Sequence, residues 1–155
     1  VELDDILIAE WLWAASKASL SGVAIVLVAV ALGVSREPTL IAVLPLVVLT
    51  GLCFAAIGLV INALARGYDF FTFYFTLALT PMVFISGVYY PTTALPPWLE
   101  AAALALPLAS AVSLVRPLVI GEWPVSVVPQ LAILCAWTLS ALMLARWLTR
   151  RRFKQ

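Results

Sequence analysis

The sequence predicts an all-α, polytopic membrane bundle of four transmembrane helices plus an external re-entrant helical hairpin. Three observations carry that prediction. Of the 155 residues, 65% are hydrophobic and only 11% are charged, with a mean hydropathy of +1.12. Soluble domains average about 25% charged residues, so this much apolar side chain cannot be hidden in a soluble core of this size. The charges are also segregated, with long uncharged runs between short clusters of Asp, Glu, Lys and Arg. Finally, one uncharged run is cut by prolines into pieces too short to cross a bilayer.

A crossing helix needs about 20 apolar residues. No charge lies between Lys17 and Arg36, which gives a first span over 18–35. The interval from Pro38 to Ala65 gives a second span over 39–65. Phe70 to Leu99 is uncharged too, but Pro91, Pro96 and Pro97 interrupt it, so the third span covers 70–90. The interval from Trp123 to Ala145 gives the fourth, over 124–145. Ahead of these, residues 1–16 mix Glu2, Asp4, Asp5 and Glu10 with Leu3, Ile6, Leu7, Ile8 and Trp11. Leu3, Ile6 and Leu7 share one helical face, which predicts an amphipathic helix on the cytoplasmic surface. Glu10 falls on that apolar face. It either pairs with Lys17 or reaches water, or else it contacts another chain.

Residues 95–120 form the predicted hairpin. Leu95 to Pro107 and Leu108 to Val115 are each too short to span. Pro96 suits a first helical position, where its missing N–H is no loss. Pro107 breaks the helix. Backbone groups freed at the break need partners from protein or water, so the hairpin should pack on the other spans rather than face lipid. Gly87, at the membrane exit, is expected to need its backbone freedom.

Lys and Arg set the orientation. Arg146, Arg150, Arg151, Arg152 and Lys154 cluster after the last span, so the C-terminal end is expected in the cytoplasm. Counting back puts the hairpin outside, Arg66 to Asp69 inside, Arg36-Glu37 outside and Lys17 inside. Both ends of the chain are then cytoplasmic, and Arg36 and Arg116 are the external basic residues. Trp11, Trp13, Tyr89, Tyr90, Trp98, Trp123 and Trp147 fall near the expected interfaces, as belt residues do.

Several chemistries are excluded. The chain has no His, the usual metal ligand and general base near neutral pH. It has no G-x-x-x-x-G-K-[ST], no H-E-x-x-H and no G-x-S-x-G. No basic-aromatic patch points to nucleic acid. Cys53 and Cys135 each lie in an apolar run and read as small core filler. No ionisable residue falls in the middle of the four predicted spans, which argues against an ion-coupled carrier and for energy supplied by a partner. Glu100, in the hairpin, reads as an interfacial carboxylate that reaches water.

Some polar positions keep two readings. In Arg66-Gly67-Tyr68-Asp69, Gly67 suits a helix stop and Asp69 an N-cap, or the turn touches a cytoplasmic motor subunit. The third span carries Thr72, Tyr74, Thr76, Thr80 and Ser86, with Pro81 as a kink. Its hydroxyls either bond to backbone and neighbouring helices or line a path, with Thr76, Thr80 and Ser86 as the candidates. Gly51 and Gly58 read as close-packing sites.

A family resemblance rests on particular stretches. These are Tyr68-Asp69-Phe70-Phe71, Thr80-Pro81-Met82, Ser86-Gly87-Val88-Tyr89-Tyr90-Pro91, Leu95-Pro96-Pro97-Trp98-Leu99, and Asp4-Asp5-Ile6 with Glu10-Trp11-Leu12-Trp13-Ala14-Ala15. Together they resemble the permease subunits of type-2 ABC exporters, and among those the nodulation-type lipo-oligosaccharide exporter permeases. The resemblance covers nearly the whole chain. It implies six spans per subunit, a second permease copy, and two separate cytoplasmic ATP-binding subunits that hold ATP and Mg2+. No cofactor is then expected in this chain, and no enzyme activity of its own. An external hairpin between the last two spans is also implied, with Ser86, Gly87, Tyr89, Tyr90, Pro91, Leu95, Pro96, Pro97 and Trp98 as its motif. With four spans, and no signal peptide visible at Val1, the chain is expected to be the C-terminal part of a longer permease. Val1 to Trp13 would keep the trailing end of the main coupling helix. Asp4, Asp5, Glu10, Arg66 and Asp69 are the candidate ATPase contacts. The expected role is export of an amphiphilic or lipid-linked glycan across a bacterial cytoplasmic membrane. A hydrophobic-drug exporter and a non-transporting membrane scaffold are the alternatives.

Overall fold

The computed structural model describes residues 2–154, and among them every regular element is a helix. Four are long and apolar enough to cross a membrane, and one further apolar pair is sharply bent.

Helix α1 runs Leu3–Ala31 without interruption. The sequence reading separates an amphipathic 1–16 from a span at 18–35, and the helix does not. Nothing between them stops it: Ala14-Ala15-Ser16-Lys17-Ala18 contains no breaker, and Ala and Lys are strong helix formers. A single-turn 310 helix, Pro38–Ala42, then leads into α2, Val43–Leu64, so this apolar element covers 27 residues.

Helix α2 is the centre of the bundle. Ala56, Leu59 and Val60 pack on Ala141 and Ala145 of the last helix, with Leu7 and Trp11 of α1 alongside. Cys53 meets Ala111, Leu114 and Leu134. Leu40 and Val43 meet Leu118. Lipid is as apolar as these side chains, so contact is driven by close packing, and small residues permit it. A Cβ added to Gly51 would lie 3.3 Å from Ala18 Cβ and 3.3 Å from Ser19 Oγ, so this is a close-packing site as expected. Gly58 has nothing within 4 Å and is not. Cys53 is the buried filler expected of it, whereas Cys135 is exposed on the far face of its helix.

The Gly51 contact fixes the register of α1 against α2. Ala15, Ala18 and Ser19 touch the midpoint of the 27-residue α2 element, so Lys17 lies halfway along α1 and halfway along its neighbour. That point is about 20 Å from either end of the 27-residue element. Lys17, expected at the edge of the first span, stands on the exposed face of α1 at this level, its ammonium 4.8 Å from the Trp13 ring centroid. The expected Glu10–Lys17 pair is not formed.

The third span is helix α3, Tyr68–Tyr74, a π-helical turn, Phe75–Leu79, and helix α4, Thr80–Ile85. Pro81 has no N–H for the carbonyl four residues back, and the helix widens just ahead of it. Thr80 Oγ1 donates to Phe75 O at 2.9 Å across that turn. The span ends at Ile85 rather than at 90, because the chain already turns at Ser86-Gly87. At its start Gly67 is extended, with φ −171°, and occupies the N-cap position; Asp69 lies inside the first turn and caps nothing. The expected helix-stop and N-cap roles are therefore not the ones these residues play.

Helices α5, Pro97–Leu104, and α6, Pro107–Val119, bend by 89° at their junction. Pro96 is the N-cap and Pro97 takes the first helical position, one residue later than expected. The last span, α7, covers Val127–Arg152, so the arginines expected after a span ending at 145 belong to its final turns. Asp4 of α1 bonds Arg146 and Arg150 of α7, so the start of α1 and the end of α7 share one end of the bundle. The hairpin sits at the opposite end, where Leu118 packs on Leu40 and Val43.

Candidate functional site

The hairpin is built by satisfying its own break. Pro107 starts α6 and leaves the carbonyls of α5 without helical donors. Ser110, fully buried, turns its Oγ to Leu106 O at 3.2 Å. Trp137 of α7 donates from Nε1 to Ala105 O at 2.9 Å. The far end of α6 closes at Gly121, whose φ of +86° suits glycine. There the Glu122 N–H reaches Pro117 O at 2.9 Å, while Thr39 Oγ1 donates to Leu118 O and Ser35 Oγ to Val119 O, each at 2.6 Å. Protein groups therefore satisfy the backbone at both ends of α6.

The motif residues form the approach to this hairpin. Ser86 and Gly87 are buried, and Ser86 Oγ donates to Val83 O at 2.8 Å. Gly87 has φ +87°, and a Cβ there would press within 3.1 Å of Thr92 Cγ2. Tyr89 lies beside Phe84, with ring centroids 5.5 Å apart. Pro91 caps a short 310 turn, Leu95 is half-buried, and Tyr90, Pro96, Pro97 and Trp98 are exposed. Arg116 ties the approach to the hairpin, donating from Nη2 to Val88 O at 3.1 Å. Glu100 sits half-buried in the first turn of α5.

Behind Arg116 lies an apolar cleft of about 480 Å³ between α1, α2 and α6. Gly22, Thr50, Gly51 and Phe54 form its floor, with Val88 and Arg116 at the hairpin end. Thr76 and Thr80 are exposed on the third span, and neither lines this cleft.

At the other end of the bundle lie Asp4, Asp5, Glu10, Arg66 and Asp69. They do not converge on one point. Asp4 is engaged by Arg146 and Arg150. The 29 residues of α1 measure about 44 Å against about 30 Å of hydrocarbon, so its first turn projects beyond the apolar band. There the hydrogen bond from Arg150, aided by Arg146, holds the Asp4 carboxyl below the usual carboxylate range against the opposing pull of desolvation. Asp5 accepts the Glu2 N–H at 3.3 Å. Glu10 lines a pocket with Asn62 and Arg152, while Arg66 and Asp69 are exposed.

Sequence reasoning missed the α1–α7 clamp at Asp4 and two indole bonds. Trp11, expected at an interface, donates instead to Leu52 O at 2.8 Å, between α1 and α2. The i, i+4 spacing of Arg146 and Arg150 was the one available signal for the clamp. Among the described residues no group of three His, Cys, Asp or Glu is placed to hold a metal ion.

Four candidate spans, the described ends of the chain at one face and a bent apolar hairpin at the other define a multi-pass helical membrane protein. The ABC-2 type transporter family model matches residues 2–120, from α1 through the hairpin, and the chain belongs to that family. Nodulation protein J of Rhizobium leguminosarum bv. trifolii is 42% identical over 152 residues, covering 98% of this chain and 58% of that protein. Nodulation protein J of Rhizobium meliloti (strain 1021) is 40% identical over 152 residues, with the same 98% and 58% coverage. The Bradyrhizobium diazoefficiens protein of that name is 39% identical over 150 residues, covering 97% of this chain and 57% of its own length. The chain thus spans less than two thirds of the relatives it matches, and the alignments with them extend over α7 as well. No solved structure matches it.

Proposed function

We propose that this chain forms the hairpin-bearing part of the permease subunit of an ATP-driven exporter. It would act with a second permease copy and move an amphiphilic or lipid-linked glycan of the lipo-oligosaccharide type. The observation that carries the reading is the family match over the stretch that holds the bent hairpin. ATP with Mg2+ would be bound and hydrolysed in separate cytoplasmic subunits, and no residue of this chain takes part in that chemistry. The nodulation relatives favour the glycan class.

In the proposed orientation the protein lies in a bacterial cytoplasmic membrane with the Asp4 end inside and the hairpin outside. The basic final turns of α7 favour it. Asp5, Glu10, Arg66 and Asp69 are then the groups on hand for the ATPase subunits, Asp4 being already paired. Thr76, Thr80 and Ser86 are assigned to the path wall, the first two because they are exposed on a span with no fully buried residue. Thiol labelling of Ala102→Cys with an impermeant reagent tests the orientation; labelling from the cytoplasmic side alone would reverse it.

The test of function is reconstitution of the full-length permease with its cognate ATPase in proteoliposomes. ATP-dependent movement of a lipo-oligosaccharide is expected. Movement of hydrophobic drugs and not glycolipids would shift the substrate class. No movement of either, and no substrate-stimulated hydrolysis, would refute the exporter reading.

A further inference from the structure

The last two turns of α7 carry four arginines, and the structure divides them into two pairs. Arg146 and Arg150, one turn apart, both bond Asp4. Arg151 and Arg152 serve the end of α2 instead. With Arg66, Ala63 and Leu64 they line a polar pocket of about 290 Å³. Arg152 is held there by α2 itself. Its Nη1 donates to Ala63 O at 3.4 Å and its Nη2 to Ala65 O at 3.2 Å, carbonyls that a helix end leaves without helical partners. Arg151 is held by Trp147, its guanidinium carbon 3.8 Å from the ring centroid. Two of the three guanidiniums are therefore positioned before any ligand arrives, which lowers the entropy lost on binding.

Among the described residues none of the three forms an ion pair. Glu10 shares a neighbouring pocket with Arg152 and does not pair with it. Three like charges around one small pocket repel, and an anion placed between them relieves that repulsion. The surroundings say which anion. Leu64 and Trp147 are about half exposed beside the arginines, on the ends of two membrane helices. A basic pocket between helix ends with bare apolar surface next to it matches a phospholipid, whose phosphate and acyl chains are joined.

We propose that the Arg66–Arg151–Arg152 pocket binds the phosphate of an anionic phospholipid, phosphatidylglycerol or cardiolipin, with the acyl chains lying over Leu64 and Trp147. The site rests on membrane embedding and needs neither transport nor a partner subunit. Lipid occupancy would hold the ends of α2 and α7 together, as Asp4 holds α1 and α7 at the same end of the bundle.

The experiment uses the full-length permease in nanodiscs of phosphatidylcholine with graded phosphatidylglycerol or cardiolipin, read by retained lipid in native mass spectrometry and by the unfolding midpoint. Both leaflets are offered, so the result does not depend on orientation, and a failed transport assay leaves it intact. Anionic lipid is expected to be retained and to raise the midpoint. Removing one charge, Arg66→Gln or Arg151→Gln, should weaken anionic-lipid preference about 5-fold, and removing both about 30-fold. Arg66→Lys with Arg151→Lys should restore most of it, which separates lost charge from lost folding. Arg150→Gln, in the Asp4 pair, should leave the preference unchanged. Equal lipid preference in wild type and the double Gln variant overturns the proposal. So does inorganic phosphate reproducing the stabilisation in pure phosphatidylcholine, which would mark a free-anion site. Loss of ATPase-subunit binding with lipid preference intact would overturn it in favour of a protein contact.

Discussion

Helix α2 and the third span are both apolar, both long enough to cross a bilayer, and joined by a three-residue turn from Ala65 to Gly67. Helix α2 packs against α1, α6 and α7. On the third span no residue between Tyr68 and Ile85 is buried. Apolarity alone therefore does not decide which helices associate. The packed helix brings Gly51, Cys53 and Ala56 to its contacts, where neighbouring backbones can approach. The bare one brings Phe70, Phe73, Phe75 and Leu77, side chains that hold a neighbour at a distance. In lipid, close packing needs small residues at the contact, and the third span turns its bulkiest side chains outward. The exposed face of this span is where the proposed path is assigned.

The contrast can be broken at Gly51. Gly51→Leu drives a side chain into Ala18 and Ser19, and we expect a loss of about 1–3 kcal/mol in unfolding from detergent micelles. Gly58→Leu, two turns along the same helix, meets open space and should stay within about 0.5 kcal/mol. Equal effects would mean that small residues are not what packs α2. Next in size is Trp137→Phe, which keeps the ring and removes the bond to Ala105 O. It should lower stability by about 1 kcal/mol and increase amide exchange around Leu104 to Pro107.

The Asp4 clamp should give a smaller, pH-dependent effect. A carboxyl whose pKa is lowered by folding adds stability above its unfolded value near 3.8, and this is lost as pH falls through the folded value. The unfolding midpoint of wild type should therefore drop below pH 4 more than that of Asp4→Asn. Parallel curves would show that the clamp contributes nothing. Phe73→Ala is the smallest effect on the fold, within about 0.5 kcal/mol, since the residue is 62% exposed. Crosslinking between copies should fall in the same variant. A large loss of fold stability would mean that the third span is packed after all.

The spans were legible because length and apolarity are local properties that charges such as Arg36, Arg66 and Arg146 delimit. Their ends were less so. The third span stops at Ile85 because Gly87 takes a positive φ, and α1 runs through Ser16 because nothing there breaks it. The hairpin was legible from Pro96, Pro97 and Pro107, but the group satisfying its break was not. Trp137 is distant in sequence from Ala105, and an indole inside an apolar run looks like any other large side chain. The level of Lys17 along the bundle was hidden for a similar reason. It follows from the α1–α2 register, which Gly51 sets and no single segment reveals.

That level along the bundle has an electrical meaning. A bacterial membrane carries a potential, and a full elementary charge crossing 100 mV exchanges about 2.3 kcal/mol with it. With the bilayer centred on the α1–α2 contact, Lys17 would stand near the midpoint of that field on the exposed face of α1. A movement of α1 along the membrane normal by a tenth of the bilayer would exchange about 0.2 kcal/mol per copy. The resting orientation of the bundle would then depend slightly on voltage, and Lys17→Gln would remove that dependence.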